Sequence, residues 1–320
     1  MTYLKNIDII ESEILNFDKS VIENLLIDRT TKKNIIWATD EYEELGELYK
    51  REFSMSINLI VENKNSIIKP RILKSEENKL NRTKNKAEVF TPSWICNAQN
   101  NLIDLDWFEE GKTFNVEKEK TWVVNKEKII FKDKSNVIWK KYVDALRMEI
   151  TCGEAPYLVS RYDTTTGKYI DVKNRIGLID RKLRIVNENT DNELEWYKWV
   201  IRAFQSIYGF EFQGDNLLLA RENLLYTFID NLEYKFNRKP KISELEEISN
   251  IISWNIWQMD GLHFTVPFTN NQSIEMVQQL SLFQDEEVIP KYCIIKDWQS
   301  ARKNKKSIKE YRTLLSKEVI

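Results

Sequence analysis

Apolar residues recur at helical spacing near the start of the chain, where Ile9, Ile10, Ile14, Ile22, Leu25 and Leu26 form stripes within the acidic stretch 1–62. The densest pattern lies at 216–236. There Leu217, Leu218, Leu219, Leu224, Leu225, Phe228 and Ile229 stand in a run without glycine or proline, which predicts a long helix. A second helix is predicted over 192–208. A third begins near Ser243, where Ser243 and Glu246 have the spacing of a capping box ahead of Ile251 and Ile252. Short β-prone runs mark strands at 147–151, 207–211 and 291–296. Between 113 and 139, Phe114, Trp122, Val124, Ile129, Ile130 and Phe131 fall in short runs broken by Asn125 and charged residues, the pattern of a small inserted hairpin. Strands alternating with long helices predict an α/β layer fold.

Composition narrows the chemistry. The chain has 320 residues, 42% of them hydrophobic and 12% aromatic, enough for a sizeable core. It holds only 8 glycines, against a usual ~7% of residues, and no G-x-G-x-x-G. Gly209 and Gly214 have P-loop spacing, but Asp215 follows where a lysine is required. The one histidine, His263, excludes a two-histidine metal site. Cys96, Cys152 and Cys293 are odd in number and far apart, so neither a disulfide framework nor a zinc site is expected. No long apolar run or signal peptide is visible, and a cytoplasmic protein is expected. The net charge is only −2, yet two stretches are basic. Residues 63–86 carry eight Lys/Arg against Glu76 and Glu77, and Gln299–Ile320 carries seven against Glu310 and Glu318. The first, interrupted by Pro70, reads as an exposed connector; either could neutralise phosphates.

Four segments in order carry the functional expectation: Glu88-Val89-Phe90-Thr91-Pro92-Ser93-Trp94; Glu149-Ile150-Thr151-Cys152-Gly153-Glu154-Ala155-Pro156-Tyr157-Leu158; Ile207-Tyr208-Gly209-Phe210-Glu211, followed by Ala220-Arg221-Glu222-Asn223-Leu224; and Asn255-Ile256-Trp257-Gln258-Met259-Asp260-Gly261-Leu262. Together they resemble the amino-group DNA methyltransferases of restriction–modification systems, especially the adenine-N6 type. The resemblance covers roughly residues 86–268. It implies a doubly wound, Rossmann-like sheet, possibly incomplete, over 87–270. An N-terminal helical segment with the basic connector (1–86) would precede it, and a C-terminal extension (271–320) would follow. It also implies S-adenosylmethionine (SAM) as cofactor. Phe90, Thr91 and Pro92 would touch it, and Glu149, Cys152 and Gly153 would form the turn beneath its amino-acid part. Glu211 would receive the ribose hydroxyls, with Asp180 a second candidate, and Asp260 would contact the adenine ring. Ala155 stands where the family has its second glycine.

The family's catalytic Asn/Asp-Pro-Pro-Tyr/Phe is absent as such. Thr265-Val266-Pro267-Phe268 stands in its place. The resemblance gives Phe268 the stacking role on a flipped base, and Thr265 and the backbone around Pro267 the hydrogen-bonding role toward the amino group. DNA is the implied substrate, and a restriction or specificity subunit a possible partner. An alternative is a non-catalytic subunit that keeps the SAM fold and binds DNA or a protein. Gln279-Leu280-Ser281-Leu282-Phe283 resembles the pentapeptide by which bacterial proteins dock on the replication sliding clamp, with Leu282 and Phe283 as apolar anchors.

Overall fold

The computed structural model describes residues 7–61, 67–86, 88, 91–108, 113–131, 137–269 and 290–315. The chain opens with helices α1 (Glu11–Leu15), α2 (Lys19–Leu26), α3 (Ile57–Val61), α4 (Glu76–Lys86) and α5 (Ser93–Asp104), then strands β1 (Asn115–Lys118) and β2 (Thr121–Val124). Next come α6 (Ile138–Asp144), β3 (Arg147–Glu149), α7 (Leu178–Asn189), α8 (Glu193–Phe204), β4 (Ile207–Glu211), α9 (Gly214–Phe236), α10 (Ile242–Asn255) and β5 (Ile256–Gln258). The last strands described are β6 (Ile294–Lys296) and β7 (Ile308–Glu310).

Strands β3, β4 and β5 form one parallel sheet in that order, with Glu149 opposite Gly209 and Glu211 opposite Gln258. Parallel neighbours need crossovers. Helices α7 and α8 supply the first, α9 and α10 the second. The fold is therefore mixed α/β, as the alternation predicted. The hairpin of β1 and β2 also forms, with Asn115 opposite Val124. The run predicted at 291–296 contains β6, but it pairs antiparallel with β7 outside the parallel sheet. The pattern did not mark β5 as a strand. It is three residues joined directly to α10, with no turn residue to announce it. The start of α10 also differs: Glu244, not Glu246, accepts the Lys241 N–H at 2.8 Å, so the helix begins before Ser243.

Helix α9 lies in the core and is buried almost all round, which explains why its leucines fall on successive faces rather than in one stripe. Buried polar groups on it need partners. Arg221 finds them in the carbonyls of Leu25 (2.6 Å), Ile27 (3.0 Å) and Ile256 (2.8 Å), so it ties the end of α2 and the start of β5 to α9. At its amino end, Asp215 is fully buried and lies 2.7 Å from Lys74 Nζ and 2.8 Å from Arg82 Nη1. Tyr42 donates its hydroxyl to the same carboxylate at 3.0 Å, and Glu41 and Glu88 complete the network. The basic stretch is thus not simply an exposed connector: Lys74 and Arg82 are buried ion-pair partners, with side chains that face inward rather than toward a polyanion.

On one face of the sheet, Phe210 and Trp257 meet Tyr311 at ring separations of 6.1 and 5.3 Å. Among the described residues no strand pairs with β3 on its outer side, and Leu146, Met148 and Ile150 stand exposed there. No helix among the described residues is long and apolar enough to cross a membrane.

Candidate functional site

A cleft of about 550 Å³ opens at the carboxyl ends of β3 and β4, the place where open α/β sheets generally receive ligands. Its floor is the loop that leaves β3. Thr151, Gly153 and Ala155 all adopt left-handed backbone, at φ 47°, 55° and 62°. Only glycine does so freely, so Thr151 and Ala155 carry strain that the surrounding bonds must hold. The loop curls so that the N–H groups of Tyr157 and Leu158 reach the Glu149 carboxylate at 3.3 and 3.0 Å. The Gly153 N–H donates to Glu211 at 2.8 Å, and the Gln213 N–H to its other oxygen at 3.1 Å. Cys152 lies beneath, buried, with its thiol held well above the ordinary range by burial and by Glu149 and Glu211.

The polar lining has a strong bias. Glu88, Glu149 and Glu211 border the cleft, and no Lys, Arg or His is among the described lining residues. Glu88 is neutralised from behind by Arg82 at 2.7 Å. Glu149 and Glu211 have no such cation. Burial pushes Glu149 up to about 8, against the N–H bonds from Leu158 and Tyr157, and the nearby Glu211 adds to the rise. Burial likewise raises Glu211, against the N–H bonds from Gln213, Gly153 and Phe212. Three buried amide oxygens that line the cleft, Asn100 Oδ1, Gln213 Oε1 and Asn216 Oδ1, have no hydrogen-bond partner. Their nitrogens are engaged: Asn100 donates to the carbonyls of Tyr157 and Ile176, and Gln213 and Asn216 donate to Glu88. Unmet buried acceptors are costly, and these three belong to residues that border the cleft beside Glu149 and Glu211.

A pH dependence follows. The folded chain keeps the Glu149 proton between its ordinary value of 4.5 and about 8, while the unfolded chain gives it up, so stability falls as pH rises through that window. Glu154, raised by burial to about 7, acts in the same sense over the lower part of it. The melting temperature is expected to drop between pH 6 and pH 9, and less so in Glu149→Gln. An equal drop in both proteins would remove Glu149 as the cause.

The residues marked by the sequence are distributed as follows. Thr91, Glu149, Cys152, Gly153 and Glu211 line the cleft together. Phe90 lies outside the described residues, as do Gln279, Leu280, Ser281, Leu282 and Phe283. Pro92 lines a second groove rather than the cleft. Asp180 also borders that groove; its carboxylate accepts from the Ser160 N–H and hydroxyl and the Gly177 N–H at the start of α7. Of the two carboxylates considered for the ribose, Glu211 is the one at the cleft. Asp260 is not among the lining residues. It accepts the Leu262 N–H at 2.9 Å and lies 2.9 Å from His263 Nδ1. Thr265 is buried and bridges Asp260 and Tyr292 through its backbone. The Val266 carbonyl already accepts the Thr269 N–H (3.2 Å) and hydroxyl (2.7 Å). Pro267 is buried. Phe268, at φ 62°, packs edge-on against Phe212 at 5.6 Å and lies under the Arg51 guanidinium. Phe212 lines the cleft, so Phe268 borders it through that ring. Asn100, Gln213 and Asn216 were not foreseen, because an amide on a helix or at its start carries no signal of burial in the sequence.

No protein-family model, curated protein or solved structure matches the chain.

Proposed function

We propose that the cleft binds SAM and that the chain acts in DNA methylation at an exocyclic amino group, adenine N6 above all. One observation carries this reading: the charged and amide residues that line the cleft are Glu88, Glu149, Glu211, Asn100, Gln213 and Asn216, and no cation is among the described lining residues. Such a lining offers no cation to a phosphate, which disfavours dinucleotides and nucleoside triphosphates. It suits a ligand that brings a sulfonium, an ammonium and two ribose hydroxyls. In this reading Glu211 accepts from the ribose, and Glu149 and the Gly153 turn lie under the amino-acid part. Asn100, Gln213 and Asn216 meet the remaining donors. The volume is also in the range of small-molecule pockets. The doubly wound methyltransferase sheet is part of the same proposal. The order β3, β4, β5, with Glu149 and Glu211 ending the first two strands and Asp260 just after the third, supports it. When bound, SAM supplies an activated methyl group.

Titration calorimetry tests the cofactor. SAM is expected to bind the wild-type chain, and Glu211→Ala is expected to weaken binding by about tenfold or more, the scale of a lost hydrogen bond to a charged group. Because a cation favours ionised Glu149, binding at pH 7 is expected to release a proton, seen as a heat that depends on the buffer's ionisation enthalpy. Absence of SAM binding in the wild type would sink the proposal.

A second reading, a SAM-binding subunit that does not itself transfer methyl, is favoured by the Val266 carbonyl, which Thr269 already occupies, and by the burial of Thr265. A DNA-binding or restriction partner, or the sliding clamp, would then complete the assembly. Methyl transfer from labelled SAM to DNA, lost in Phe268→Ala, supports the enzyme. SAM binding without transfer supports the subunit.

A further inference from the structure

A second groove, of about 1260 Å³, runs between the β1–β2 hairpin and the chain at 163–175. It is larger than the usual small-molecule pocket. The hairpin is pinned to the opposite wall by Trp122, whose indole N–H donates to the Asn174 carbonyl at 2.9 Å. Trp94, Tyr169 and Tyr234 present further rings along the groove, and Lys120, Lys126, Lys168 and Lys173 stand exposed on its rims.

The acids of the groove do not cancel these cations evenly. Asp163 is engaged by the N–H groups of Ser93, Thr165 and Thr166. Glu188 pairs with Arg184 at 2.7 Å and accepts the Ile129 N–H. Asp180 is buried at the start of α7 and Asp171 is exposed at the rim. One buried group in the wall points to the charge of the occupant. Arg175 is fully buried in its side chain, bonded through Nη2 to Asp230 and through Nε to the Ile170 carbonyl, yet its Nη1 has no acceptor. A lysine-rimmed, aromatic-lined groove with this buried guanidinium in its wall suits an anion that also carries flat rings.

We infer that this groove binds single-stranded nucleic acid, its phosphates on the lysine rims and its unpaired bases against the tryptophan and tyrosine rings. Alternating cations and rings are how sequence-tolerant single-strand sites are built. A duplex keeps its base faces covered and cannot use the rings. An acidic polypeptide answers the lysines but not the rings. The inference goes beyond the cofactor reading and does not depend on it. The two cavities are neighbours in the chain: Thr91 borders the cleft and Pro92 the groove.

The test is fluorescence anisotropy with the full chain, without SAM, on a labelled oligothymidylate of about 20 nucleotides, longer than common single-strand site sizes. The oligothymidylate is expected to bind more tightly than a duplex of equal length. Lys168→Glu/Lys173→Glu is expected to weaken it about tenfold or more and to flatten the salt dependence by about 1.4 units of slope, two phosphate contacts at about 0.7 each for a single strand. Trp94→Leu is expected to weaken it by about fivefold or more, the scale of one stacked base. No binding by the wild type, equal binding of the duplex or of polyglutamate, or unchanged binding in both variants overturns the inference. So does a loss confined to Lys303→Glu/Lys305→Glu, which would move the site to the tail. A SAM titration of the same preparation reports on the cleft alone, so failure of one reading is distinguishable from failure of the other.

Discussion

Asp215→Ala is expected to lower the stability of the chain by about 3–5 kcal/mol, the cost of leaving buried charges without their partner. Lys74 and Arg82 both point at this carboxylate from a buried position, and Tyr42 donates to it. Burial alone would raise the Asp215 carboxyl. Arg82 and Lys74 outweigh it and hold the group well below the ordinary carboxylate range. The pairing therefore stabilises the fold at neutral pH, and that contribution is lost only as pH falls below the ordinary value of 3.8. Removal of the carboxylate takes away the partner that Lys74 and Arg82 share, leaving Glu41 to both and Glu88 to Arg82. A fall in melting temperature of roughly four to seven degrees follows for a chain of this size. Calorimetry or circular dichroism checks it; a change within a degree or two would mean that solvent reaches the network. The variant should also disturb the cleft, because Glu88 joins Arg82 to Gln213 and Asn216.

The second large effect is expected from Gly214→Ala. Gly214 is the first residue of α9, where its N–H donates to the Trp37 carbonyl at 2.8 Å. A methyl group there would overlap the Ile36 carbonyl oxygen and come within 2.9 Å of Met55 Sδ. The sulfur can move, but the carbonyl cannot easily do so. It is held by Gln258, which donates to Ile36 O at 2.8 Å and accepts from Ile36 N at 2.9 Å. Relief would have to shift α9 or break that pair. A loss of about 3 kcal/mol, at the upper end of overpacking costs, is expected as a lowered urea midpoint with unchanged slope. An unaltered midpoint would show that the 34–37 segment yields.

What the sequence reveals about this chain follows the range of the interactions involved. The long helix α9 and strand β4 are legible because their apolar residues are contiguous. Glu149, Cys152, Gly153 and Glu211 are legible as a set because each ends or follows a strand, and the fold then brings those strand ends together. Lys74 and Arg82 look like surface cations, because their partner Asp215 is 141 and 133 residues away. Asn100 and Asn216 look like ordinary polar helix positions, since nothing local says that α5 and the start of α9 face a cleft. In the resemblance the Asp260–Phe268 segment carries both the adenine contact, at Asp260, and the stand-in for the catalytic motif, at Thr265–Phe268. Its own backbone bonds, Asp260 with Thr265 and Val266 with Thr269, instead give most of it internal partners. Such short-range pairing depends on φ values like the 62° of Phe268, which residue type alone does not set.

The outer side of β3, without a paired strand among the described residues, has a consequence for association rather than for folding. An edge strand without a neighbour offers amide and carbonyl groups to any strand that arrives, and here Leu146, Met148 and Ile150 make the same edge apolar. Natural sheets commonly guard such an edge by keeping its strand very short, or with a lysine, a proline or a bulge, and β3 has only three residues. Arg147 provides the one charge within this strand besides Glu149, which faces inward. Pairing of copies along this edge would rise with concentration, while each copy remained folded.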